Sequence, residues 1–595
     1  MRGRPWGYWP EIDGLRALAI LPVFLFHLEP RLLGGGFVGV DVFFVISGFL
    51  ITTILLEDFA AGGFQLSGFY QRRIARIAPA FFFVLAATLV AGRLLYSAQD
   101  FASLGSNTIF AAASVINVKL LLQGSYFKLS RDAQPLLHYW SLSVEEQFYL
   151  LFPSALWVVL RWTRRPLLWI ALAAAASYAA CIAISARSPS AAFYLLPTRA
   201  WELLLGALLA LARSRTTLMA NGRAVGAATV AGVALLGVAV VRAGAWPDFP
   251  GWRAAVPAGG AALILYAVQA REAGPAAWLG ARALTWIGRR SYSLYLWHWP
   301  VFSFVDYSLY AAPASLRLAL KLGLSLAAAA ATYTLFERPL RSWLNAPRRR
   351  RLAFGAFAAA VMAAGGIGMA VRSANYLSAN PRCLARGGIA IDGGVKSVVL
   401  IGDSQGAMYG RRLAALARAR GFSLNVLSAA AGDELPGRSG SKWPAVEAYL
   451  RARRPKVVVI AEAWSAKYVD AAPLRQALAS IGALGARTIL IEQPPVAPPQ
   501  ATREAIRAGA VGPFYEPPRD RAARLAADRL VRSLAGPKVQ VIDIAPVFVG
   551  PSGSVKVIAG DGRLNYHDAD HLSDEGAAAA VPLIASAVER TLAAP

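Results

Sequence analysis

Charged residues and cysteines are scarce in this chain of 595 residues. Only 16% of the residues are charged, well below the roughly 25% found in soluble domains, while 56% are hydrophobic and the mean hydropathy is +0.45. This shortage of charge excludes a purely soluble protein and indicates an integral membrane protein with room for a second domain. The only two cysteines, Cys181 and Cys383, exclude a framework of disulfides.

Acidic residues are also in the minority. The 34 Asp and Glu residues are outnumbered by 61 Lys and Arg residues, which gives a net charge of +27 at pH 7. Such an excess is typical of proteins that bind nucleic acid. In this chain, however, the arginines gather in short loops between apolar runs, as the positive-inside rule predicts for cytoplasmic loops. We therefore expect membrane lipids as neighbours and no nucleic acid partner.

Apolar runs long enough to cross a bilayer recur through the first 375 residues. The first run resembles part of a signal peptide, but it carries Arg16 and His27 and lacks a small-residue cleavage site, so we interpret it as a retained helix. A weaker run at 103–122 contains Lys119 and is not counted. The predicted spans number eleven, at 14–30, 36–56, 77–97, 143–161, 167–185, 199–213, 223–241, 254–269, 291–310, 316–335 and 352–371.

The odd number of spans predicts the topology. With a cytoplasmic N-terminus, the loops that carry most arginines all lie in the cytoplasm, as the positive-inside rule requires. The chain from about residue 375 onward then lies on the opposite side. We expect a multi-pass membrane protein whose C-terminal domain lies in the periplasm.

The sequence pattern changes after residue 375. Short apolar runs alternate with segments of helical period, which predicts a parallel sheet flanked by helices. The predicted fold is thus an all-α polytopic bundle followed by an α/β domain. A proline-rich loop at 494–518 is expected to border the site of this domain. The predicted strands are 398–401, 424–427, 457–460, 488–491 and 539–544, and the predicted helices include 411–420 and 474–484.

A possible catalytic triad belongs to this second domain. Gly402-Asp403-Ser404 directly follows the first predicted strand, where open α/β sheets place their sites. Asp568 and His571 lie three residues apart near the C-terminus, so one turn brings both toward a common point. A serine activated by histidine and oriented by aspartate is an acyl-transfer device.

Two other interpretations of these residues remain open. Asp403 and Ser404 could simply cap a helix, since both residue types are common at that position. Alternatively, the cluster near the C-terminus could bind a metal ion, but this leaves Ser404 without a role, and we predict no metal site. The possible metal ligands are His567, Asp568, Asp570 and His571.

Arg16 and His27 form a second candidate site, in the first span. They are eleven residues apart, so at 100° per residue they share a helix face, with a rise between them of roughly 16 Å. Polar groups of this kind inside a membrane either line a cavity or pair with other residues. Both interpretations are open, and the expected partners for a purely structural pair are Asp41 and Glu202.

Longer motifs make the membrane half recognisable. It closely resembles the membrane acyltransferase type 3 family over roughly residues 7–345, and the C-terminal segment resembles the SGNH hydrolase-like domain of bacterial polysaccharide O-acetyltransferases. The resemblance divides the chain into a membrane acyltransferase domain (1–345), a further helix and linker (346–375) and an SGNH-like domain (376–595). The motifs that carry it are EIDGLRA at 11–17, GFVGVDVFFVISGFLIT at 36–52, FYQRRIARIAP at 69–79, LHYWSLSVEEQFY at 137–149, PTRAWEL at 197–203 and SLYLWHWP at 293–300.

The resemblance implies an O-acetyltransferase. Its membrane domain would take acetyl from cytoplasmic acetyl-CoA, a substrate rather than a tightly bound cofactor, and the SGNH domain would esterify a sugar hydroxyl. The implied catalytic residues are Ser404, His571, Asp568 and His27. The implied set for acyl-CoA binding or acyl transfer is Arg16, Asp13, Asp41, Arg72, Arg73, Arg76, His138, Glu145 and Glu146. A cytoplasmic anchor is an equally good explanation of the three arginines at 72, 73 and 76.

The SGNH pattern is incomplete. Its Gly-x-Asn-Asp block is missing, because the sequence after the third predicted strand reads Ala-Glu-Ala-Trp at 461–464. An oxyanion hole would then depend on backbone N–H groups such as those of Ser404 and Gly432. We therefore expect transfer rather than efficient hydrolysis.

Two other classes of function remain as alternatives. One is a membrane-anchored carbohydrate esterase, which explains Ser404 but not the pairing of Arg16 with His27. The other is a transporter of a lipid-linked sugar, although inverted repeats are not evident. For the acetyltransferase the expected acceptor is an extracytoplasmic polysaccharide or lipid-linked glycan. Lipopolysaccharide O-antigen, exopolysaccharide and a secreted lipo-oligosaccharide come before peptidoglycan, since we find no wall-binding segment.

Overall fold

The computed structural model divides the chain into two compact units. The first, called here the helical unit, comprises Met1–Tyr96, Asp100–Leu309 and Pro313–Ala374, and the second, the α/β unit, comprises mainly Asn375–Pro595. The structure describes residues 8–29, 33–62, 64–96, 98–123, 134–215, 222–246, 248–269, 276–309, 312–375, 389–391, 397–428, 435–437, 441–467, 470–501, 505–506, 510, 512–560 and 562–594. Cys383 and Gly432 lie outside these ranges.

Helices make up the first unit, and each of the eleven predicted spans coincides with one of them. Their bounds are α1 Pro10–Leu28, α2 Gly39–Ala60, α3 Leu66–Leu95, α4 Ala98–Ala112, α5 Ile116–Gln123, α6 Tyr139–Trp162, α7 Pro166–Ser185, α8 Pro189–Tyr194, α9 Leu196–Arg215, α10 Gly222–Arg242, α11 Ala255–Gln269, α12 Arg282–Ser308, α13 Ala314–Thr332, α14 Arg338–Leu344 and α15 Arg350–Asn375. A π-helical turn at Tyr333–Glu337 joins α13 to α14.

The number of membrane spans is not confirmed as eleven. Within the described ranges, seven helical segments are long and apolar enough to cross a membrane. Helices such as α1 and α9 fail that test because they carry charged side chains. The weak run at 103–122 is broken into α4 and α5 at Ser114, whose φ of 55° ends the first helix. The seven segments are Gly36–Ala60, Leu66–Leu95, Pro166–Ser185, Gly222–Ala245, Ala314–Leu344, Pro347–Ser373 and Asp574–Ala593.

Close backbone contacts hold the charged helices in the centre of the helical unit. Helix α1 packs against α12, and α2 packs against α9. A Cβ atom at Gly48 of α2 would lie 1.8 Å from the backbone oxygen of Leu203 in α9, and one at Gly288 of α12 would lie 1.8 Å from that of Asp13 in α1. Glycine is therefore required at both crossings, as is common between membrane helices.

The α/β unit contains a six-stranded sheet. The strand order is β1-β3-β2-β4-β5-β6, and all neighbours are parallel except β1 and β3. All five predicted strands are present; β1, with only three residues, is the additional one. The strands are β1 Ile389–Ile391, β2 Ser397–Gly402, β3 Ser423–Ser428, β4 Val457–Ala461, β5 Arg487–Ile491 and β6 Val539–Ile542.

Both faces of this sheet are covered. In β2, Val398 and Leu400 belong to one apolar core, while Val399 and Ile401 belong to the other, as expected for a parallel sheet with helices on both sides. The helices are α16 Ser404–Arg420, α17 Trp443–Arg453, α18 Trp464–Lys467, α19 Ala472–Ala483, α20 Pro518–Arg532, α21 Ala545–Phe548 and α22 Asp574–Ala593. Helix α22 packs against α16 and the sheet, so we do not count it as a membrane span despite its apolar composition.

Candidate acyl-transfer sites

The turn from β2 into α16 presents Ser404. Strand β2 pairs with β3 on one side and β4 on the other, so its carboxyl end is the point where the strand order reverses and where α/β sheets place their ligands. A Cβ atom at Gly402 would lie 1.9 Å from the backbone oxygen of Ala461, so only glycine fits there. The Asp403 carboxylate then caps α16 by accepting from the N–H of Gln405 at 2.8 Å.

This cap places Ser404 at the first position of α16. A backbone N–H at that position has no partner within its own helix, and the helix dipole adds partial positive charge there. The turn therefore offers one N–H donor and a favourable field for an oxyanion on the serine ester. Gly432, the second donor predicted from the sequence, lies outside the described residues.

The predicted triad is assembled. Nε2 of His571 lies 2.7 Å from Oγ of Ser404, and Nδ1 of His571 lies 2.9 Å and 3.0 Å from the two carboxylate oxygens of Asp568. The same carboxylate accepts from the backbone N–H groups of His571, at 2.8 Å, and Asp570, at 3.1 Å. This is the arrangement in which a histidine takes a proton from serine while aspartate holds its tautomer.

Two carboxylates, those of Asp568 and Asp570, stabilise the protonated form of His571. Burial opposes the charge, but the hydrogen bonds and charges of Asp568 and Asp570 outweigh burial and raise the pKa of His571 to about 10. Oδ1 of Asp570 lies 3.2 Å from Nδ1. For Asp568, burial raises the pKa, yet the hydrogen bond and charge of His571 prevail and hold it below its usual value. The resting triad at neutral pH is therefore an ion pair, with little free base.

Hydrogen bonds from α16 and from the proline-rich segment fix the loop that carries His571. The Gln405 side chain donates to the backbone oxygen of Asp570 at 2.6 Å. From the proline-rich segment, the N–H of Ala497 donates to the oxygen of Ala569 at 2.7 Å, and the Tyr566 hydroxyl donates to the oxygen of Pro495 at 2.9 Å. The start of the 494–518 segment, at Pro495 and Ala497, thus borders the site.

A buried charge cluster occupies the place of the missing Gly-x-Asn-Asp block. The N–H of Ala463 donates to the Asp403 carboxylate at 3.1 Å, and Nζ of Lys467 lies 2.8 Å from the same carboxylate and 2.7 Å from that of Glu462. Burial opposes the charge on Lys467, but Glu462 and Asp403 raise its pKa. Asp403 and Glu462 are both buried. The cluster fixes the end of β4 against the serine turn; sequence reasoning missed it, because no local pattern marks Lys467 as the partner of Asp403 and Glu462.

Asp568, Asp570 and His571 also place ligand atoms within 4.8 Å of one another, which is the geometric basis of the metal alternative. Their polar atoms are, however, already engaged in the triad, since His571 bonds Ser404 through one nitrogen and Asp568 through the other. A metal ion on these residues would displace that hydrogen bonding. The arrangement therefore fits acyl transfer better than metal binding.

Three of the five histidines in the chain meet inside the helical unit. Nδ1 of His27 lies 3.0 Å from Nε2 of His298, and the rings of His138 and His298 have centroids 5.3 Å apart. His138 and His298 are buried. Sequence reasoning selected His27 and His138 but missed His298, although its Trp-His-Trp-Pro motif was noticed.

Two cavities lie within the helical unit. The first is called the aromatic cavity, and the second, the larger of the two, is called the arginine cavity. Arg16, Leu50 and Arg76 line both, so the cavities adjoin. The aromatic cavity is walled by Phe43, Phe44, Phe81, Tyr149, Tyr292 and Tyr295, and the arginine cavity carries Arg16, Arg76, Arg289 and Arg341.

Most of the predicted acyl-CoA set lines these cavities. Arg73, Glu145 and Glu146 line the aromatic cavity, where the Glu145 carboxylate accepts hydrogen bonds from the hydroxyls of Ser47 and Tyr149. Asp13 lines the arginine cavity, and its carboxylate lies 3.4 Å from the guanidinium of Arg16.

Three residues of this set, Arg72, Asp41 and His138, line neither cavity, and the same holds for His27. The Arg72 guanidinium pairs with Asp58. Asp41 lies 3.0 Å from Arg199, which in turn lies 3.1 Å from Glu202, and all three side chains are fully buried. Asp41 and Glu202 therefore neutralise Arg199, and the ion pair of Arg16 is with Asp13 instead.

Glu337 is a further cavity residue that sequence reasoning missed. It ends the π-helical turn after α13 and accepts a hydrogen bond from the Ser293 hydroxyl at 2.6 Å. It lines the arginine cavity. The π-turn interrupts α-helical hydrogen bonding, a feature that often marks functional sites. The glutamate in the apolar stretch before Arg338-Pro339 was a visible signal.

Comparison with known proteins gives matches along both units. Residues 9–336 match the family described as the acyltransferase domain, and residues 371–586 match the SGNH domain that is fused to AT3 domains. A solved structure, the periplasmic domain of a lipopolysaccharide acetyltransferase from Salmonella ser. Paratyphi A, covers 36% of this chain and 93% of that domain, with 14% identity and a TM-score of 0.30. That score is too low to support an argument.

Two relatives match about half of the sequence. Peptidoglycan O-acetyltransferase OatA of Listeria monocytogenes is 32% identical over 310 residues, which are 49% of this chain and 49% of that protein. O-acetyltransferase OatA of Staphylococcus aureus is 32% identical over 313 residues, 50% of this chain and 51% of that protein. The chain thus spans about half the length of the curated relatives it matches. Because the first family match covers more than half of the chain, the protein belongs to the acyltransferase domain family, with an SGNH domain after the helical unit.

Proposed function

We propose that this protein is a membrane O-acetyltransferase. It transfers acetyl from cytoplasmic acetyl-CoA to a hydroxyl of an extracytoplasmic glycan, by way of Ser404. The observation that carries the proposal is the hydrogen-bonded chain from Ser404 through His571 to Asp568, in a protein of the acyltransferase family. Neither a transporter nor a simple membrane anchor accounts for both the assembled triad and the acyltransferase domain.

The two adjoining cavities suit acetyl-CoA as a substrate. The arginine cavity gathers four guanidinium groups against the carboxylates of Asp13, Glu57 and Glu337, and arginine binds phosphate through paired N–H donors. The aromatic cavity, with its apolar walls and a few hydroxyls, suits the pantetheine arm and the acetyl group. Because Arg16 lines both cavities, its guanidinium can contact acetyl-CoA where the charged part of that substrate meets the apolar part.

The chemistry at Ser404 takes two balanced steps. In the first, His571 takes the proton of the Ser404 hydroxyl while Oγ attacks the acetyl carbonyl carbon of the incoming carrier; the bond from that carbon to the carrier breaks, and the carrier leaves with the proton. In the second, His571 takes the proton of a sugar hydroxyl, whose oxygen attacks the serine ester. The bond to Oγ then breaks, Oγ recovers the proton, and the sugar carries the acetyl ester.

The backbone N–H of Ser404 and the start of α16 stabilise the oxyanion in both steps. The Lys467 cluster stands where the missing block would supply an asparagine donor.

In this proposal the α/β unit lies in the periplasm of a bacterium, and the helical unit lies in the inner membrane. The arginine-rich loops and the odd number of predicted spans support that topology. The acceptor is an extracytoplasmic glycan. Because the OatA relative of Listeria monocytogenes is a peptidoglycan O-acetyltransferase, peptidoglycan is tested as the acceptor on equal terms with lipopolysaccharide and exopolysaccharide.

Acetyl transfer from labelled donor tests the proposal. Membrane vesicles that contain the full-length protein are incubated with radiolabelled acetyl-CoA, and the label is sought on Ser404 and on added peptidoglycan or lipopolysaccharide. We expect label on Ser404 and, as base-labile ester, on one of the two glycans. Ser404→Ala should abolish both signals, and Ser465→Ala, on the nearby α18, serves as the matched control.

The alternatives give different results. An esterase would leave Ser404 unlabelled by acetyl-CoA yet would release acetate from an acetylated glycan, and a transporter would do neither. Normal glycan acetylation by the Ser404→Ala variant would refute the catalytic role of the α/β unit.

A further inference from the structure

The hydrogen bond between His27 and His298 has a defined direction. Nδ1 of His27 lies 3.0 Å from Nε2 of His298, so one nitrogen donates and the other accepts. Nδ1 of His298 lies 2.7 Å from the backbone oxygen of Tyr295. A carbonyl oxygen only accepts hydrogen bonds, and therefore Nδ1 of His298 carries a proton.

This proton determines the state of both rings. His298 is fully buried and packs against the rings of Phe24 and Phe302, an environment that disfavours a charged imidazolium. A neutral imidazole with its proton on Nδ1 has a lone pair on Nε2. Nδ1 of His27 is consequently the donor to His298, and the lone pair of a neutral His27 lies on its own Nε2.

We propose that His298 is a positioning residue that holds His27 in the Nδ1–H tautomer, so that Nε2 of His27 is the general base of acetyl transfer: it takes the proton of a carrier hydroxyl whose oxygen attacks the acetyl carbonyl carbon, the bond from that carbon to the CoA sulfur breaks, and the sulfur leaves with the proton. The inference rests on the proposed function and deepens it, because it names the residue that controls the protonation of His27. It assigns to His298 the task that a carboxylate performs for the histidine of a serine triad.

Contacts around the pair support this role. The ring of Trp299 packs edge-on against His27, with centroids 4.6 Å apart, and limits rotation of the imidazole. Tyr295, whose backbone oxygen holds His298, also lines the aromatic cavity. Its hydroxyl donates to the backbone oxygen of His138 at 3.0 Å and lies 2.6 Å from Oγ of Ser141. The histidine pair is thus linked through Tyr295 to the wall of the cavity in which we place the acetyl group.

The tautomers can be measured directly in the unmodified protein. The chain contains five histidines, so full-length protein labelled with ¹⁵N-histidine in lipid bilayers gives few imidazole signals, and the loss of one set in His27→Ala assigns His27. We expect Nδ1 protonated and Nε2 unprotonated on both His27 and His298. A His27 ring protonated on Nε2 and bare on Nδ1 overturns the inference.

Two substitutions of different length test the consequence for catalysis. In His298→Gln the side-chain oxygen can take the place of Nε2 and accept from His27, whereas the shorter amide of His298→Asn cannot reach. We expect His298→Asn to lower kcat on the order of 10²-fold, with KM for acetyl-CoA unchanged, and His298→Gln to retain most of the rate. Equal losses in the two variants contradict the positioning role.

The role of His27 in the proposed function is tested separately from the tautomer inference. If His27→Ala acetylates glycan at the normal rate, the role of His27 in transfer is lost, while the ¹⁵N spectra still decide which nitrogen of each ring carries the proton. If the variants at 298 do not fold, the spectra of the unmodified protein alone settle the inference.

Discussion

The charge on His571 predicts an unusual pH dependence for the reaction at Ser404. With the pKa of this histidine raised to about 10 by Asp568 and Asp570 despite its burial, the neutral base is a fraction of roughly 10⁻³ at pH 7 and increases about tenfold per pH unit. Acetylation or hydrolysis at Ser404 should rise with pH across the range from 6 to 9. The assay is release of nitrophenol from 4-nitrophenyl acetate by the full-length protein in detergent, with Ser404→Ala as the background.

Replacing Asp570 tests the cause of this dependence. Its carboxylate lies 3.2 Å from Nδ1 of His571, and its side chain is 49% exposed. An ion pair this exposed is worth at most about 1 kcal/mol, which corresponds to somewhat less than one pH unit. Asp570→Asn should therefore shift the profile to lower pH by roughly that amount and raise the rate at pH 7 several-fold.

A matched control is Asp543→Asn, because Asp543 is 40% exposed and pairs with Arg532 rather than with a histidine. Asp543→Asn should leave the pH dependence of the rate unchanged. A profile that is flat between pH 6 and 9, or one that does not move in Asp570→Asn, would refute the reasoning. The same pairing affects folding: since the pKa of His571 is raised in the folded state, its contribution to stability is complete below about pH 6.5 and is lost as the pH rises through about 10.

Three further predictions concern the other charged sites and the topology. Lys467→Met removes the ammonium group that pairs with the buried carboxylates of Asp403 and Glu462 and should destabilise the α/β unit by about 3 kcal/mol, whereas Lys467→Arg should retain part of that stability. Urea unfolding followed by tryptophan fluorescence measures both variants. Equal stability of Lys467→Met and the unmodified protein would contradict a stabilising role of the cluster. Arg16→Lys should raise KM for acetyl-CoA more than it lowers kcat, because lysine cannot reproduce the paired contact of a guanidinium with phosphate; steady-state kinetics decide, and an unchanged KM removes Arg16 from the donor site. A reporter enzyme active only in the periplasm, fused after Pro595, should be active, and activity of a cytoplasmic reporter at the same position would reverse the topology.

The sequence by itself determined the elements and the triad. Hydropathy located helices at all eleven predicted spans because burial in lipid demands long apolar runs, and alternation of strands and helices predicted the parallel sheet. The triad was predictable because Ser404 follows a strand and because Asp568 and His571 are three residues apart, so local geometry alone brings them close. The same locality explains why Arg16 and Asp13, one turn apart on α1, form an ion pair.

Only the tertiary structure decided which distant polar residues meet. Asp41 and Arg72 belong to the same sequence motifs as the cavity residues, yet they pair with Arg199 and Asp58 because helix packing places those partners beside them. No local pattern in the sequence indicates that His298 meets His27 or that Lys467 meets Asp403. Their roles arise from contacts across the fold, between α1 and α12 and between the ends of β2 and β4, and a buried charge or imidazole takes whichever partner the packing provides.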